Sequence, residues 1–229
     1  VVGENAFKSE TDLFNAVSGD SVQIIIPANS AATTFAVPNI AKMATIKNVE
    51  VYGVNYAVNP NVKDAKDPTA AWTKNEAWGA NGTSTVGNIT ISTSGANTLG
   101  GKITFKGIDF TGGYSDTVRT LPSKDDNRDL EVKFENVVIN SAVSYLFNDH
   151  CASRRKANYN GDKLILDSVR LESFTGSRFF ATGGSLTSSH VIMQDSYFNG
   201  VANFGFFHGG SGATKAAAVV DGCYFNKCK

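Results

Sequence analysis

The sequence predicts an all-β protein, a parallel β-helix whose short strands stack as a solenoid behind a short N-terminal α-helix. Three observations predict it. A six-residue phrase recurs along the chain, its copies fall at similar spacing, and a second run of apolar residues keeps step with them. The phrase reads apolar, polar, small or turn-forming, two variable residues, apolar. It appears as Ile46–Val51, Phe105–Phe110, Phe134–Ile139, Leu166–Leu171, Met193–Phe198 and Val220–Phe225. A unit repeated in this way does not bury its own apolar face and stacks on its neighbours instead.

The copies begin at 46, 105, 134, 166, 193 and 220, at intervals of 59, 29, 32, 27 and 27 residues. Three short strands with three turns need roughly 20 residues or slightly more. Each later interval therefore reads as one rung with an extended turn, and the first reads as two rungs. Gly87–Ser92 supplies one strand of the extra rung. Most of the excess falls in a polar insertion over 59–86 that carries Trp72 and Trp78.

The second column is Tyr145-Leu146-Phe147, Arg178-Phe179-Phe180 and Gly205-Phe206-Phe207. Strand alternation assigns Leu146, Phe179 and Phe206 to the core. It assigns Tyr145, Phe147, Arg178, Phe180 and Phe207 to an outward band of aromatics with one Arg. An antiparallel β-sandwich is the competing fold. It fits less well, because the copies hold one register and few Asn-Gly-type hairpin turns join them.

The N-terminus reads as a helix and then a strand. Ser9-Glu10-Thr11-Asp12 is a capping-box-like start, Leu13, Phe14 and Val17 form an apolar stripe, and Gly19 stops the helix. The predicted helix spans 7–19. Ser21–Ile26 follows as a strand closed by Pro27. Phe7, Leu13, Ala16, Val17, Gly19, Asp20, Val22, Ile24, Ile26 and Pro27 together resemble the opening of right-handed parallel β-helix proteins of the pectate-lyase-like superfamily. The resemblance implies a right-handed solenoid whose open end the helix caps. Val137–Asn140, Ser196–Asn199 and Cys223–Asn226 also resemble rungs of uncharacterised β-helix domains from secreted and surface-anchored bacterial proteins. That likeness covers roughly the last 130 residues and the opening. It implies an extracellular or cell-surface location and work on, or binding of, glycans.

The chain's 229 residues read as one domain, with 21 basic and 21 acidic side chains. Balanced charge argues against a nucleic-acid partner, and no apolar run is long enough for a membrane span. No signal segment is visible at Val1, and no C-terminal cap follows Cys228. A fragment of a longer protein, with a neighbouring domain or subunit at that end, is therefore expected. Cys151, Cys223 and Cys228 are an odd set, read as small buried thiols, with a Cys223–Cys228 bridge left open. Three cysteines without clustered histidines do not make a metal site.

The best polar cluster follows the second column. Asp149 and His150 extend from it, Arg178 lies in the Tyr145 column, and His208 is the stacked equivalent of Asn148. These residues are expected to converge on one face. The predicted ligand-binding set is Tyr145, Phe147, Arg178, Phe180 and Phe207, because sugar rings stack on aromatic faces and Arg binds carboxylate or sulfate bidentately. Asp149, His150 and His208 are the weaker catalytic candidates. The competing reading is that the insertion or the 148–160 turn covers these aromatics as a secondary core.

No complete lyase, esterase or hydrolase motif is present, so whether the chain is an enzyme stays open, leaning against. The first functional expectation is a secreted or surface module that binds polysaccharide. The second is a lyase or hydrolase acting on a uronate-containing glycan. The third is a structural solenoid of the adhesin or phage-fibre kind. No cofactor is expected, calcium entering only under the lyase reading.

Overall fold

The computed structural model describes residues 8–92, 99–112, 116–121, 130–140, 145–149, 163–172, 178–182, 189–201, 205–208 and 216–228. Helix α1 (Glu10–Asn15) begins at Ser9, whose Oγ accepts the Asp12 backbone N–H at 3.2 Å. Leu13 and Phe14 are its buried residues. β1 (Ser21–Ile25) and β2 (Ala31–Val37) form the first rung, and a 3-10 turn (Ala41–Ala44) leads on to β3 (Asn48–Tyr52). β4 (Asn61–Val62) and β5 (Thr73–Lys74) pair antiparallel inside the insertion, and β6 (Thr85–Ser92) completes the second rung. The third rung is β7 (Lys102–Lys106), β8 (Asp109–Phe110) and β9 (Asp116–Leu121). β10 (Glu131–Asn140) with β11 (Tyr145–Asp149), and β12 (Lys163–Glu172) with β13 (Arg178–Thr182), form the next two. Then come β14 (Ser189–Gln194), β15 (Tyr197–Asn199) and β16 (Gly205–His208), and finally β17 (Ala216–Asp221) and β18 (Tyr224–Asn226).

Apart from β4–β5, the pairings are parallel, so the chain is a β-solenoid. The first sheet stacks β1, β3, β7, β10, β12, β14 and β17. Its inner columns are Val22, Val49, Ile103, Val132, Leu164, Val191 and Ala218, and Ile24, Val51, Phe105, Phe134, Leu166, Met193 and Val220. The second sheet carries the inner column Val86, Phe110, Ile139, Leu171, Phe198 and Phe225. Phe105 stacks on Phe134 at 5.8 Å, and Phe110 meets Phe134 edge-on at 5.1 Å, tying the two sheets together across the core.

The turn-forming position of the repeat has a backbone reason. Gly107, Asn136, Ser168, Asp195 and Gly222 all take positive φ, between 49° and 66°. Each sits at the corner between the first and second sheets, where the chain must enter the left-handed region. Gly and Asn reach it most cheaply. Ser168 (φ 54°) carries a Cβ there without being Asn or Gly. Ser168→Gly is expected to stabilise the fold by roughly 0.5–1 kcal/mol, because the relieved strain exceeds the extra chain entropy of Gly. Urea denaturation checks it, and an unchanged or lower midpoint would show that this corner is unstrained.

Two expectations about the repeat are corrected. Register equates Phe105-Lys106 with Val51-Tyr52, not with Ile46-Lys47, so the first copy of the phrase lies five residues later than its sequence match. Asn48 and Gly53 both suit the turn position, and only strand pairing distinguishes them. Because β3 pairs directly with β7, no extra rung separates them. β6 belongs to the rung that β3 begins, and the insertion lies at the first-to-second-sheet corner of that rung.

The expectation for Phe147 in the third sheet is also corrected. Phe147 is in register with Val118, Val118 with Ile89, and Ile89 with Phe35. All four are buried, and all belong to the main core. Phe147 therefore faces the core and not the outward band expected of it. Leu146 is in the core as expected, although its column runs back through Thr117, Asn88 and Thr34. Thr34 donates to Asn88 Oδ1 at 2.8 Å in that polar column. Leu146-Phe147, Phe179-Phe180 and Phe206-Phe207 cannot reveal strand parity, because both positions are apolar in each rung, whereas the earlier rungs alternate.

Candidate functional site

The insertion runs along the outer face of the second sheet as a strap. Its base rests on Gly107: Gly53 N donates to Lys106 O at 2.7 Å, and Asn136 Nδ2 donates to Tyr56 O at 3.0 Å. Asn55 Nδ2 donates to Gly82 O at 3.1 Å, closing the strap on itself. Further along, the Trp78 indole N–H donates to Asp109 Oδ1 at 2.8 Å. Burial holds the Asp109 carboxyl above its ordinary range, against the opposing pull of that hydrogen bond. Asn61 Nδ2 donates to Val169 O at 3.1 Å, and Asn61 Oδ1 accepts from Arg170 at 3.3 Å. Beyond β4, Lys63 pairs with Asp195, and Trp72 stacks on Tyr224 at 5.9 Å. The strap thus covers the outward column Asp109, Val138, Arg170, Tyr197 and Tyr224. The insertion covers the second sheet and not the Tyr145–Phe147 strand, and residues 150–160 of the alternative covering turn lie outside the described residues.

Where the strap leaves β3, a shallow groove of about 460 Å³ opens on the outer face of the first two rungs. Gln23, Ile25, Tyr52, Gly53, Val54 and Tyr56 line it. Strand alternation sends Gln23, Ile25, Glu50 and Tyr52 outward, since Ile24, Val49 and Val51 fill the core. Tyr56 is 53% exposed and Ile25 is 49% exposed, and both lie in this one groove. The Tyr52 and Tyr56 rings meet edge-on at 5.6 Å. Glu50 Oε2 accepts Gln23 Nε2 and the Tyr52 hydroxyl, each at 3.0 Å. The Gln23 bond, more than the opposing burial, Tyr52 or the nearby lysines, keeps Glu50 below its usual range and so ionised. Burial and the bond to Glu50 push the Tyr52 phenol up, so it stays a donor. Lys106 lies 5.5 Å over the Tyr52 ring and 3.5 Å from Glu135.

Of the residues singled out from sequence, backbone register places Tyr145 beside Arg178, and Phe147 beside Phe180, which pairs on with Phe207. Asn148 pairs with Ala181, and Ala181 with His208. Asp149 pairs with Thr182, one column away from His208, so the register does not bring those two candidates into one column. His150 and Cys151 lie outside the described residues. Cys223 and Cys228 are free thiols, near the carbonyls of Asp221 (3.3 Å) and Phe198 (3.5 Å), so they are not bridged to each other. Among the described residues no three His, Cys, Asp or Glu side chains cluster as metal ligands, and no helix is long and apolar enough to cross a membrane.

The groove was missed because its residues straddle the misaligned first copy. Aligning Val51-Tyr52-Gly53 with Phe105-Lys106-Gly107 would have set Tyr52 in an outward column and Tyr56 just past the corner. No protein-family model, curated protein or solved structure matches the chain. The class that the fold defines is a parallel β-solenoid, strapped along one face and grooved at its N-terminal end.

Proposed function

We propose that this β-solenoid is a secreted or cell-surface module that binds polysaccharide in the Tyr52–Tyr56 groove. The observation that carries the reading is an exposed tyrosine platform beside a fixed Gln23–Glu50 pair on a rigid sheet face. A pyranose ring offers one apolar face and a rim of hydroxyls. Tyr56 and Ile25 suit the first, and Gln23 and Glu50 suit the second. Strands hold these groups with little freedom to lose, which favours binding. The likeness of the opening helix and strand to pectate-lyase-like β-helices supports the same ligand class.

Affinity gel electrophoresis through plant, host and microbial polysaccharides tests it, with reducing-end and unsaturated-uronate assays run alongside. At least one polysaccharide is expected to retard the chain, without turnover. Tyr56→Ala should weaken that retardation about tenfold or more, the loss of roughly one stacked ring, with the circular dichroism spectrum unchanged. Retardation that survives Tyr56→Ala would place the site outside this groove. Product formation would sink the binding-only reading.

A further inference from the structure

We infer that the groove selects neutral pyranosides and rejects uronates, an inference that rests on the glycan-binding reading above. Its basis is the direction in which Glu50 is held. Both donors, Gln23 Nε2 and the Tyr52 hydroxyl, bind Oε2. Among the described residues Oε1 makes no hydrogen bond, which leaves an ionised oxygen as an acceptor beside the groove. The Gln23 amide, which lines the groove and is spent on Glu50 only through Nε2, keeps its carbonyl oxygen as a second acceptor. Two adjacent acceptors match two adjacent hydroxyl donors on one sugar ring, and a hydroxyl bonding to a carboxylate makes a charge-assisted bond.

A uronate would set a second carboxylate against Glu50. The nearby cations Lys106 and Lys102 favour the ionised form of Glu50, but neither lines the groove. Lys106 is engaged by Glu135 and by the Tyr52 ring. Lys102 is in register with Asn48, at the other end of β3 from the groove lining. Lys133, the next cation along the sheet, bonds Glu135 and Asp167, each at 2.8 Å. Lys106 and Lys133 are thus engaged by carboxylates, Lys102 does not line the groove, and the group presented to a ligand is the acceptor pair. Rejection by an unpaired like charge is a recognised source of specificity.

The experiment uses the full chain, with Glu50→Gln and Tyr56→Ala variants, in gels of neutral glucans, mannans and galactans and of polygalacturonate and alginate. Low and high salt are compared. Retardation by a neutral polymer, insensitive to salt, is expected. Glu50→Gln should weaken it about tenfold and raise affinity for the polyuronates. Tyr56-dependent binding that favours polyuronates, or a Glu50→Gln variant as good as wild type on neutral polymers, overturns the selectivity and leaves the groove standing. Preference for a cationic glucosamine polymer also overturns it, since Glu50 would then be acting as a counter-ion. Absence of binding to every polymer overturns the glycan reading itself.

Discussion

Gly107→Ala is expected to destabilise the fold by about 3 kcal/mol or more, a size that only a backbone clash or a broken core produces, and to remove binding at the groove. Two independent costs act at this position. Its φ is +66°, in the left-handed region that a side chain occupies only at a cost. A Cβ built there would also lie 2.0 Å from Tyr56 N and 2.4 Å from Asn55 C. Those are backbone atoms, so no rotamer change relieves the contact. Either the corner of β7 moves or the base of the strap does, and Tyr56 moves with the strap. Stability and binding should therefore fall together. Asn136 holds the equivalent corner of the next rung with φ 49°, so the left-handed backbone alone is tolerable to a side chain. Gly107→Asn separates the two costs: it tolerates the φ but not the contact. If Gly107→Asn proves as stable as wild type in urea, the strap does not rest on this corner as described.

That corner also shows what the sequence could and could not disclose. The solenoid was legible because stacking places like above like. The apolar columns and the Gly, Asn, Ser and Asp corners recur for reasons local to each rung. Strand parity in the third sheet was not legible from Leu146-Phe147 and Phe179-Phe180, since apolar residues at both positions satisfy either orientation. It needed Phe35, Ile89 and Val118, whose polar neighbours Thr34, Asn88 and Thr117 break the tie. The groove and the strap depend on contacts between residues far apart in sequence, such as Asn61 with Val169. Periodicity carries no information about those. The variable positions of the phrase include Asp109, Arg170 and Tyr224. They vary because each meets a different part of the strap.

Arg170 is the strongest case of this. Only 6% of it is exposed, in an outward column that a solenoid normally leaves in water. Its Nε donates to Glu172, its Nη1 donates to Asn61 Oδ1 at 3.3 Å, and its guanidinium lies 4.0 Å over the Tyr197 ring. Tyr197 stacks in turn on Tyr224 at 5.8 Å, and Tyr224 on Trp72. One side chain thus joins two rungs to the middle and the tip of the strap. Arg170→Ala is expected to cost about 3 kcal/mol, because it leaves Glu172 and the buried Asn61 Oδ1 without their partner and opens a void over Tyr197. Arg170→Lys should recover little, since an ammonium cannot bond Glu172 and Asn61 at once while lying flat on the ring. Lys63→Ala sets the scale for comparison. It breaks the exposed pair with Asp195, a contact worth about 0–1 kcal/mol, and its ring contact with Trp72 is also at the surface. Urea denaturation gives the three costs, and limited proteolysis between 63 and 72 reports whether the strap tip has lifted. If the strap is fastened at its middle, Arg170→Ala should expose that segment to cleavage and Lys63→Ala should not. Equal losses in the two variants would mean that the strap is held by its tip, and that the buried guanidinium fastens only the rungs beneath it.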